Sequence, residues 1–134
     1  MTPDEKAVFD ALEALIDAVY RNDTRAYREL VDEDVSSFES DIAPYRIDSI
    51  DFHINLMSQR ALANRTNIRT DILTPRIQLY GEFAIIAYSL LVTQSDDGKV
   101  GFQTFNETRV FAKQDNKWRM VHLHRSPGVE TYEA

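Results

Sequence analysis

The sequence predicts an α+β fold in which three N-terminal helices pack on a curved antiparallel sheet. Residues 1–62 carry helix caps and helical apolar spacing, whereas residues 67–125 carry strand-like segments separated by turn residues. The predicted order, ααβαββββ, gathers the helices on one side of a sheet built from consecutive strands. We expect a single domain over residues 1–134, because no Pro-, Gly- or Ser-rich linker divides the chain.

Three helices are predicted from caps and apolar periodicity. Thr2 and Glu5 form the pattern of a capping box, which begins a helix over residues 3–21. Its apolar residues recur at helical spacing: Val8, Leu12, Leu15 and Val19. Further capping residues begin a short helix over residues 24–31 and a third helix over residues 50–62.

The remaining segments are predicted as strands separated by turns. The strands cover residues 35–40, 67–80, 83–94, 100–113 and 118–125. Pro75 interrupts the second of these strands and indicates an edge strand or a bulge. Asp97-Gly98 and Asp115-Asn116 are typical of the hairpin turns that would join the last three strands into a meander.

The composition excludes several classes of function. The formal net charge is -7 and the pI is about 4.9, so phosphate backbones are repelled and nucleic-acid binding is not expected. The chain has no cysteine, which excludes disulfides, Cys-based zinc sites and a thiol nucleophile and fits a reducing compartment. There is neither an apolar run of membrane-spanning length nor a signal-peptide start. We therefore expect a cytoplasmic protein with no membrane contact and no cofactor.

The apolar strand over residues 83–94 indicates a partner. Bulky apolar side chains occupy both of its alternating faces, whereas a sheet with one wet face should alternate apolar and polar residues. Three helices can cover only one face of the sheet, so the second face needs another cover. A second subunit is the simplest one, because large exposed apolar patches mark interfaces. The alternative is a central strand that tolerates a few exposed apolar residues.

Several motifs together resemble one known family. In order along the chain they are Asp51-Phe52-His53, residues 71–79 (DILTPRIQL), Thr93-Gln94, residues 107–111 (ETRVF) and residues 117–127 (KWRMVHLHRSP). Their order and spacing resemble the association (hub) domain of calcium/calmodulin-dependent protein kinase II, from about residue 7 to residue 127. That domain is a nuclear transport factor 2-like, or SnoaL-like, cone.

The resemblance implies a non-catalytic domain that self-assembles into a homodimer or a larger ring. It also implies an arginine-lined pocket on the concave side of the sheet, and it places Trp118, His122 and His124 at a subunit interface. Because the chain begins at Met1 with a helix cap, we expect a free-standing relative without a kinase domain.

Two arginines on the last strands are candidates for the pocket. Arg109 and Arg125 share their strand faces with apolar residues, which is unusual for solvated charges. If both faces point into the fold, the two guanidiniums converge and can hold a small carboxylate through paired hydrogen bonds. Glu107 shares the face of Arg109, so the alternative is a buried structural network. The family's further arginine is missing here, because residues 83–94 contain none.

An enzyme of the same cone, such as a dehydratase or an isomerase, is the alternative function. Such an enzyme needs an acid or base in the pocket, and the candidates are Glu107 with either His53 or Tyr88. A carboxylate beside two arginines suits a charged anchor better than a proton shuttle, so we expect no catalytic residue. His122 and His124 lack an evident third ligand, so we expect no metal site.

Overall fold

Three helices cover one face of a six-stranded sheet in the computed structural model, which describes residues 1–62 and 67–128. The helices are α1 (Pro3–Tyr20), α2 (Thr24–Leu30) and α3 (Asp51–Leu62). The strands are β1 (Val31–Glu39), β2 (Ile47–Asp48), β3 (Ile68–Tyr80), β4 (Phe83–Asp96), β5 (Lys99–Gln114) and β6 (Lys117–Pro127). The predicted α+β class and the three predicted helices are confirmed.

The helices begin where their caps predict. The Thr2 side chain accepts a hydrogen bond from the Glu5 backbone nitrogen, and the Glu5 carboxylate accepts one from the Thr2 backbone nitrogen, which completes the capping box of α1. Asp23 accepts from the backbone nitrogen of Ala26 and begins α2. These bonds satisfy backbone donors that the first helical turn leaves without partners.

The sheet has the order β2-β1-β6-β5-β4-β3. Strands β3 to β6 form the predicted antiparallel meander. However, β1 pairs in parallel with β6, and the two-residue β2 extends the sheet beyond β1, so the sheet is mixed rather than antiparallel throughout. Local sequence pattern does not report the direction in which strands from opposite ends of a chain pair.

Turns and bulges shape the sheet. Asp97 and Gly98 both adopt positive φ, as do Asp115 and Asn116, which is the conformation of a type I′ hairpin turn. The register of β3 shifts between Leu73 and Arg76, so Pro75 lies in a bulge on an edge strand, as predicted.

A second bulge lies in β6. The register shifts between Val110 and Phe111, whose partners on β6 are His122 and Met120. Val121 is left between them and is half-buried, whereas Met120 is fully buried. Bulges of this kind bend a sheet and re-aim its side chains. Strict alternation would place Val121 on the inner face with Leu123 and Arg125, and the bulge puts Met120 in the core instead.

The hydrophobic core lies between the helices and the inner face of the sheet. On β4 the inward side chains are at most 5% exposed: Ala84, Ile86, Tyr88 and Leu90. The side chains between them face outward and are half-buried or exposed. None of the helices in the described ranges has the length and apolar character required to traverse a bilayer.

Candidate functional site

A row of polar side chains crosses the inner face of four neighbouring strands. Register pairing places Tyr88 opposite Glu107, Glu107 opposite Arg125, and Arg125 opposite Glu39. Each of these four residues is at most 6% exposed. Because directly paired residues share a face, the row alternates donors and acceptors from β4 through β5 and β6 to β1.

Arg109 lies at one end of the row, two residues beyond Glu107 on the same face of β5. Its Nε donates to the Tyr88 hydroxyl at 2.7 Å, its Nη2 donates to Glu107 Oε1 at 3.2 Å, and its Nη1 lies 3.1 Å from the sulfur of Met120. The Tyr88 hydroxyl donates in turn to Glu107. Burial raises the pKa of Tyr88 well above its usual value and outweighs the Arg109 charge, so the phenol keeps its proton. All three nitrogens of the Arg109 guanidinium are therefore engaged.

Arg125 occupies the middle of the row. Its Nε and Nη2 hold the carboxylate of Asp41 at 3.2 and 2.7 Å, which is a bidentate pair. Its remaining nitrogen, Nη1, lies 3.8 Å from Glu107 Oε2, and Nη2 lies 3.7 Å from Glu39 Oε1. The guanidinium carbon is 4.8 Å from the centre of the Phe105 ring, so an aromatic face supports the charge.

Glu39 closes the other end of the row against α3. His53 Nε2 lies 2.7 Å from Glu39 Oε2, and Ser37 donates to the same oxygen at 2.9 Å. Burial acts to raise the pKa of Glu39, but the hydrogen bond and charge of His53, with the Arg125 charge and the Ser37 bond, lower the pKa to about 2. The carboxylate therefore stays ionised and ties α3 to the sheet.

The structure brings together all five residues proposed for the pocket, in the arrangement of a closed network. Glu107 pairs with Arg109 and Tyr88, while His53 pairs with Glu39 rather than with Glu107. The Glu107–His53 combination considered for an enzyme is therefore not formed. The Nδ1 atom of His53 is buried and has no hydrogen-bond partner among the described residues.

Among the described residues, two cavities border Arg125 of the row. The larger has a volume of about 160 Å³, and Arg125, Asp41, Phe105 and Arg60 line it. The smaller, of about 30 Å³, lies against His53 and shares Arg60 and Arg125 with the larger one. The buried network thus faces a space that a small molecule can enter.

The outer face of the sheet carries the histidines. Val110 pairs with His122, and Ser36 pairs with His122 on the other side. Phe38 pairs with His124, and its ring centre lies 5.6 Å from that of His124. The Ser36 hydroxyl oxygen and His122 Nδ1 lie 2.8 Å apart and form a hydrogen bond. Both histidines are thus open to a partner, as the interface hypothesis requires.

Trp118 does not lie on that face. Its side chain is 7% exposed and belongs to the hydrophobic core, because its position on β6 points inward. The ammonium of Lys113 covers its ring from the neighbouring strand. We therefore remove Trp118 from the proposed interface. The two histidines and their apolar neighbours remain in it.

Three site residues escaped the sequence analysis. Glu39 and Asp41 reach Arg125 because β1 pairs with β6, a pairing without a local signal. Arg60 lies in the last turn of α3, where a basic residue is common for helix-dipole reasons. Glu39 carries no local signal of its own, because its face of β1 also presents Ser37 beside Val35, whereas Phe38 lies on the other face.

These features define a class of protein: a nuclear transport factor 2-like cone with a buried charge network and an open outer sheet face. The fold is shared with a nuclear transport factor 2-like protein of Cytophaga hutchinsonii, at a TM-score of 0.75 and 14% identity over 95% of this chain and 99% of that chain. A putative ketosteroid isomerase of Shewanella frigidimarina shares it at a TM-score of 0.72 and 19% identity, over 87% of this chain and 92% of that chain.

The particular family follows from the sequence match. The profile of the calcium/calmodulin dependent protein kinase II association domain matches residues 4–129, and the chain belongs to this family. The association domain of C. elegans CaMKII is similar, at a TM-score of 0.83 and 28% identity over 92% of this chain and 95% of that chain. The type II alpha chain of this kinase from Drosophila melanogaster is 37% identical over 120 residues, or 88% of this chain. This chain spans 23% of the length of the curated relatives it matches.

The Glu39 carboxylate makes stability depend on pH. Because its pKa falls from the ordinary 4.5 to about 2, its contribution is fully present above pH 4.5 and is lost as pH falls toward 2. That contribution is on the order of 3 kcal/mol at neutral pH. Between pH 6 and pH 3, the wild type should lose about 2 kcal/mol more unfolding free energy than Glu39→Gln. Urea unfolding at both pH values measures the difference.

Glu29→Gln is the matched control, because Glu29 is exposed on α2. It should keep the pH dependence of the wild type. An equal loss of stability in wild type and Glu39→Gln would show that the Glu39–His53 pair does not stabilise the fold.

Proposed function

We propose that this chain is a non-catalytic assembly domain, which forms a homodimer or a larger ring through the outer face of its sheet. The observation that supports this proposal is that the outer face has no cover among the described residues and carries large apolar side chains. Phe38, Phe83 and Phe102 are 42%, 56% and 61% exposed. Exposed apolar surface of this kind marks an interface.

The charge pattern favours a second copy of this chain as the partner. Two chains of net charge -7 repel each other overall, so a contact surface without carboxylates is favoured. Two rows cross the outer face from β1 to β4 and contain no carboxylate: Ser36, His122, Val110 and Ile85, then Phe38, His124, Thr108 and Ala87. A self-complementary contact there is the form that a two-fold dimer requires.

A second candidate function is the binding of a small carboxylate in the arginine pocket. The 160 Å³ cavity supports it, because Arg125 forms part of its wall and Arg109, Glu107, Tyr88 and His53 lie behind. This function is compatible with assembly. A rise in the thermal unfolding midpoint with added carboxylate tests it, and an unchanged midpoint would contradict it.

An isomerase-like or dehydratase-like activity has weaker support. Arg109 and the Tyr88 hydroxyl already occupy Glu107, and His53 is bound to Glu39. A general base needs a lone pair that faces the substrate. Glu107 Oε1 and His53 Nε2 are engaged by neighbours, and the two remaining atoms, Glu107 Oε2 and His53 Nδ1, are buried. We therefore favour assembly over catalysis.

An outer-face substitution should separate the chains. Ile85→Glu places a carboxylate in the middle of the outer face, where association would bury it without a partner. We expect the wild type to show a mass of two or more subunits at micromolar concentration. The variant should associate at least about tenfold more weakly, since unpaired buried charges cost well over 1.4 kcal/mol. Light scattering behind a sizing column measures the mass.

Leu62→Glu is the matched control, since Leu62 is 87% exposed at the end of α3 and away from the sheet. It should assemble like the wild type. A wild type that remains monomeric, or an Ile85→Glu variant that assembles normally, would contradict the outer face as the interface.

Association should weaken in acid because of His122. Burial and the neighbouring His124 lower the pKa of His122 below 6.5, against a smaller opposing effect of Ser36. Covering the neutral imidazole is therefore favourable above about pH 6.5, and this contribution is lost as pH falls through the lowered pKa. We expect the association constant to fall several-fold as the pH is lowered from 7.5 to 5.5. Analytical ultracentrifugation measures this change.

A His122→Gln variant should show a flatter pH dependence over the same range. Glutamine keeps a polar side chain beside Ser36 but cannot take up a proton. Tighter association of the wild type at pH 5.5 would contradict a role of neutral His122 in the interface.

A further inference from the structure

The accessible histidines of this chain lie together on the outer face of the sheet. The sequence contains three histidines. His53 is buried, and its Nε2 atom is held by Glu39. His122 and His124 occupy alternate positions on β6 and project from the outer face, where His122 is half-buried and His124 is exposed. An imidazole that can reach a metal ion therefore belongs to this pair.

The pair has the arrangement of two ligands for one metal ion. Side chains two residues apart on a strand share a face and stand about 7 Å apart. Both imidazoles lie beside one aromatic ring, because the Phe38 ring centre is 6.2 Å from that of His122 and 5.6 Å from that of His124. Ser36 engages Nδ1 of His122 at 2.8 Å, so Nε2 is the nitrogen that can bind a metal. A hydrogen bond on the other ring nitrogen is how proteins orient metal-binding histidines.

One chain supplies only half of such a site. Zinc in a structural site binds four ligands in a tetrahedral arrangement. Within residues 1–62 and 67–128, no three His, Cys, Asp or Glu side chains gather in a way that could hold a metal ion. The missing ligands therefore have to come from outside the chain, and a second copy of it carries the same pair.

The pair lies where two copies would meet. The sheet has six strands, and β6 is the third in their order, beside β5 at the middle. His122 is the central residue of β6 (Lys117–Pro127). When two identical faces meet about a two-fold axis through their centre, the residues nearest the axis contact their own copies. Facing sheets pack about 10 Å apart, so each backbone lies about 5 Å from the plane between them, which an imidazole can reach.

We propose that two copies of this chain hold one zinc ion between their outer faces, through His122 and His124 of each copy. This inference rests on the proposed assembly through that face and adds a ligand to it. Imidazole nitrogens suit zinc, copper and nickel, and a tetrahedral set favours zinc among them. Four imidazoles leave no open position, so the zinc is structural rather than catalytic. Its positive charge also reduces the repulsion between two chains of net charge -7.

Zinc should strengthen association of the wild-type chain, produced without a histidine tag. A ligand that binds the dimer and barely binds the single chain shifts the equilibrium toward the dimer. With a dissociation constant of about 1 µM, about 100 µM zinc chloride should raise the association constant about a hundredfold over its value in EDTA. Analytical ultracentrifugation at pH 7.5 measures both constants, and metal analysis after dialysis should find one zinc per two chains. Magnesium chloride should leave association unchanged, because magnesium prefers oxygen ligands.

Three variants locate the ligands, each judged by the ratio of its association constants with and without zinc. His124→Gln removes one ligand from each copy, so its ratio should fall close to one. His124→Cys supplies a thiolate in the same place and should keep the zinc effect under reducing conditions. With cobalt in place of zinc, this variant should also gain a thiolate-to-metal absorption band that the wild type lacks. Glu29→Gln, on an exposed carboxylate of α2, should keep the wild-type ratio. His124 is exposed, so its substitutions should not prevent folding.

The outcomes separate this inference from the proposed assembly. If the wild type associates in EDTA and zinc adds nothing, the zinc site is overturned and the assembly stands. If zinc strengthens association of His124→Gln as much as that of the wild type, the metal binds elsewhere and the inference is overturned. One zinc per chain, in place of one per pair, would contradict a shared site. A wild type that stays monomeric with and without zinc would contradict the assembly itself, and the zinc site with it.

Discussion

The alternation of hydrogen-bond donors and acceptors along the row Tyr88, Glu107, Arg125 and Glu39 is the constraint on which the rest of the structure depends. These residues are direct neighbours across four strands, and each is buried. A slip of one residue in any strand would move its member of the row to the outer face and leave a buried charge without a partner, which is costly. The row therefore fixes the register of the sheet, including the parallel pairing of β1 with β6, and His53 extends it to α3.

Because the charged side chains of the inner face pair with one another, they determine which surfaces remain available for function. Because side chains alternate along a strand, a buried polar row on one face leaves the other face of the same strands for apolar groups and histidines. The two carboxylate-free rows of the outer face from β1 to β4 thus offer a surface on which two acidic chains can meet without bringing carboxylates together. The proposed assembly surface and the proposed pocket thus lie on opposite sides of one sheet.

Local signals predicted much of the fold. Three predicted features each depend on neighbours within a few residues, so the sequence alone was sufficient to predict them. They are the Thr2 cap, the positive-φ turn at Asp97 and the Pro75 bulge. Strand alternation also placed Arg109 and Arg125 inward. It could not identify Glu39 or Asp41 as their partners, because paired residues of β1 and β6, such as Ser36 and His122, are 86 residues apart in the sequence. Trp118 was placed on the interface by resemblance, whereas its own strand position turns it into the core.

The distance between spin labels on two copies tests most directly the claim that outer sheet faces meet. The chain has no cysteine, so a single cysteine introduced at Asn106, exposed on the outer face of β5, takes one label per copy. A second variant carries the label at Asp10 on α1, on the helical side. Facing sheets pack about 10 Å apart, and each helical layer adds about 10 Å. We predict that the distance between the two labels in a pair of copies is shorter when the labels are at position 106 than when they are at position 10. No intermolecular coupling, or a shorter distance from Asp10, would contradict the outer face as the assembly surface.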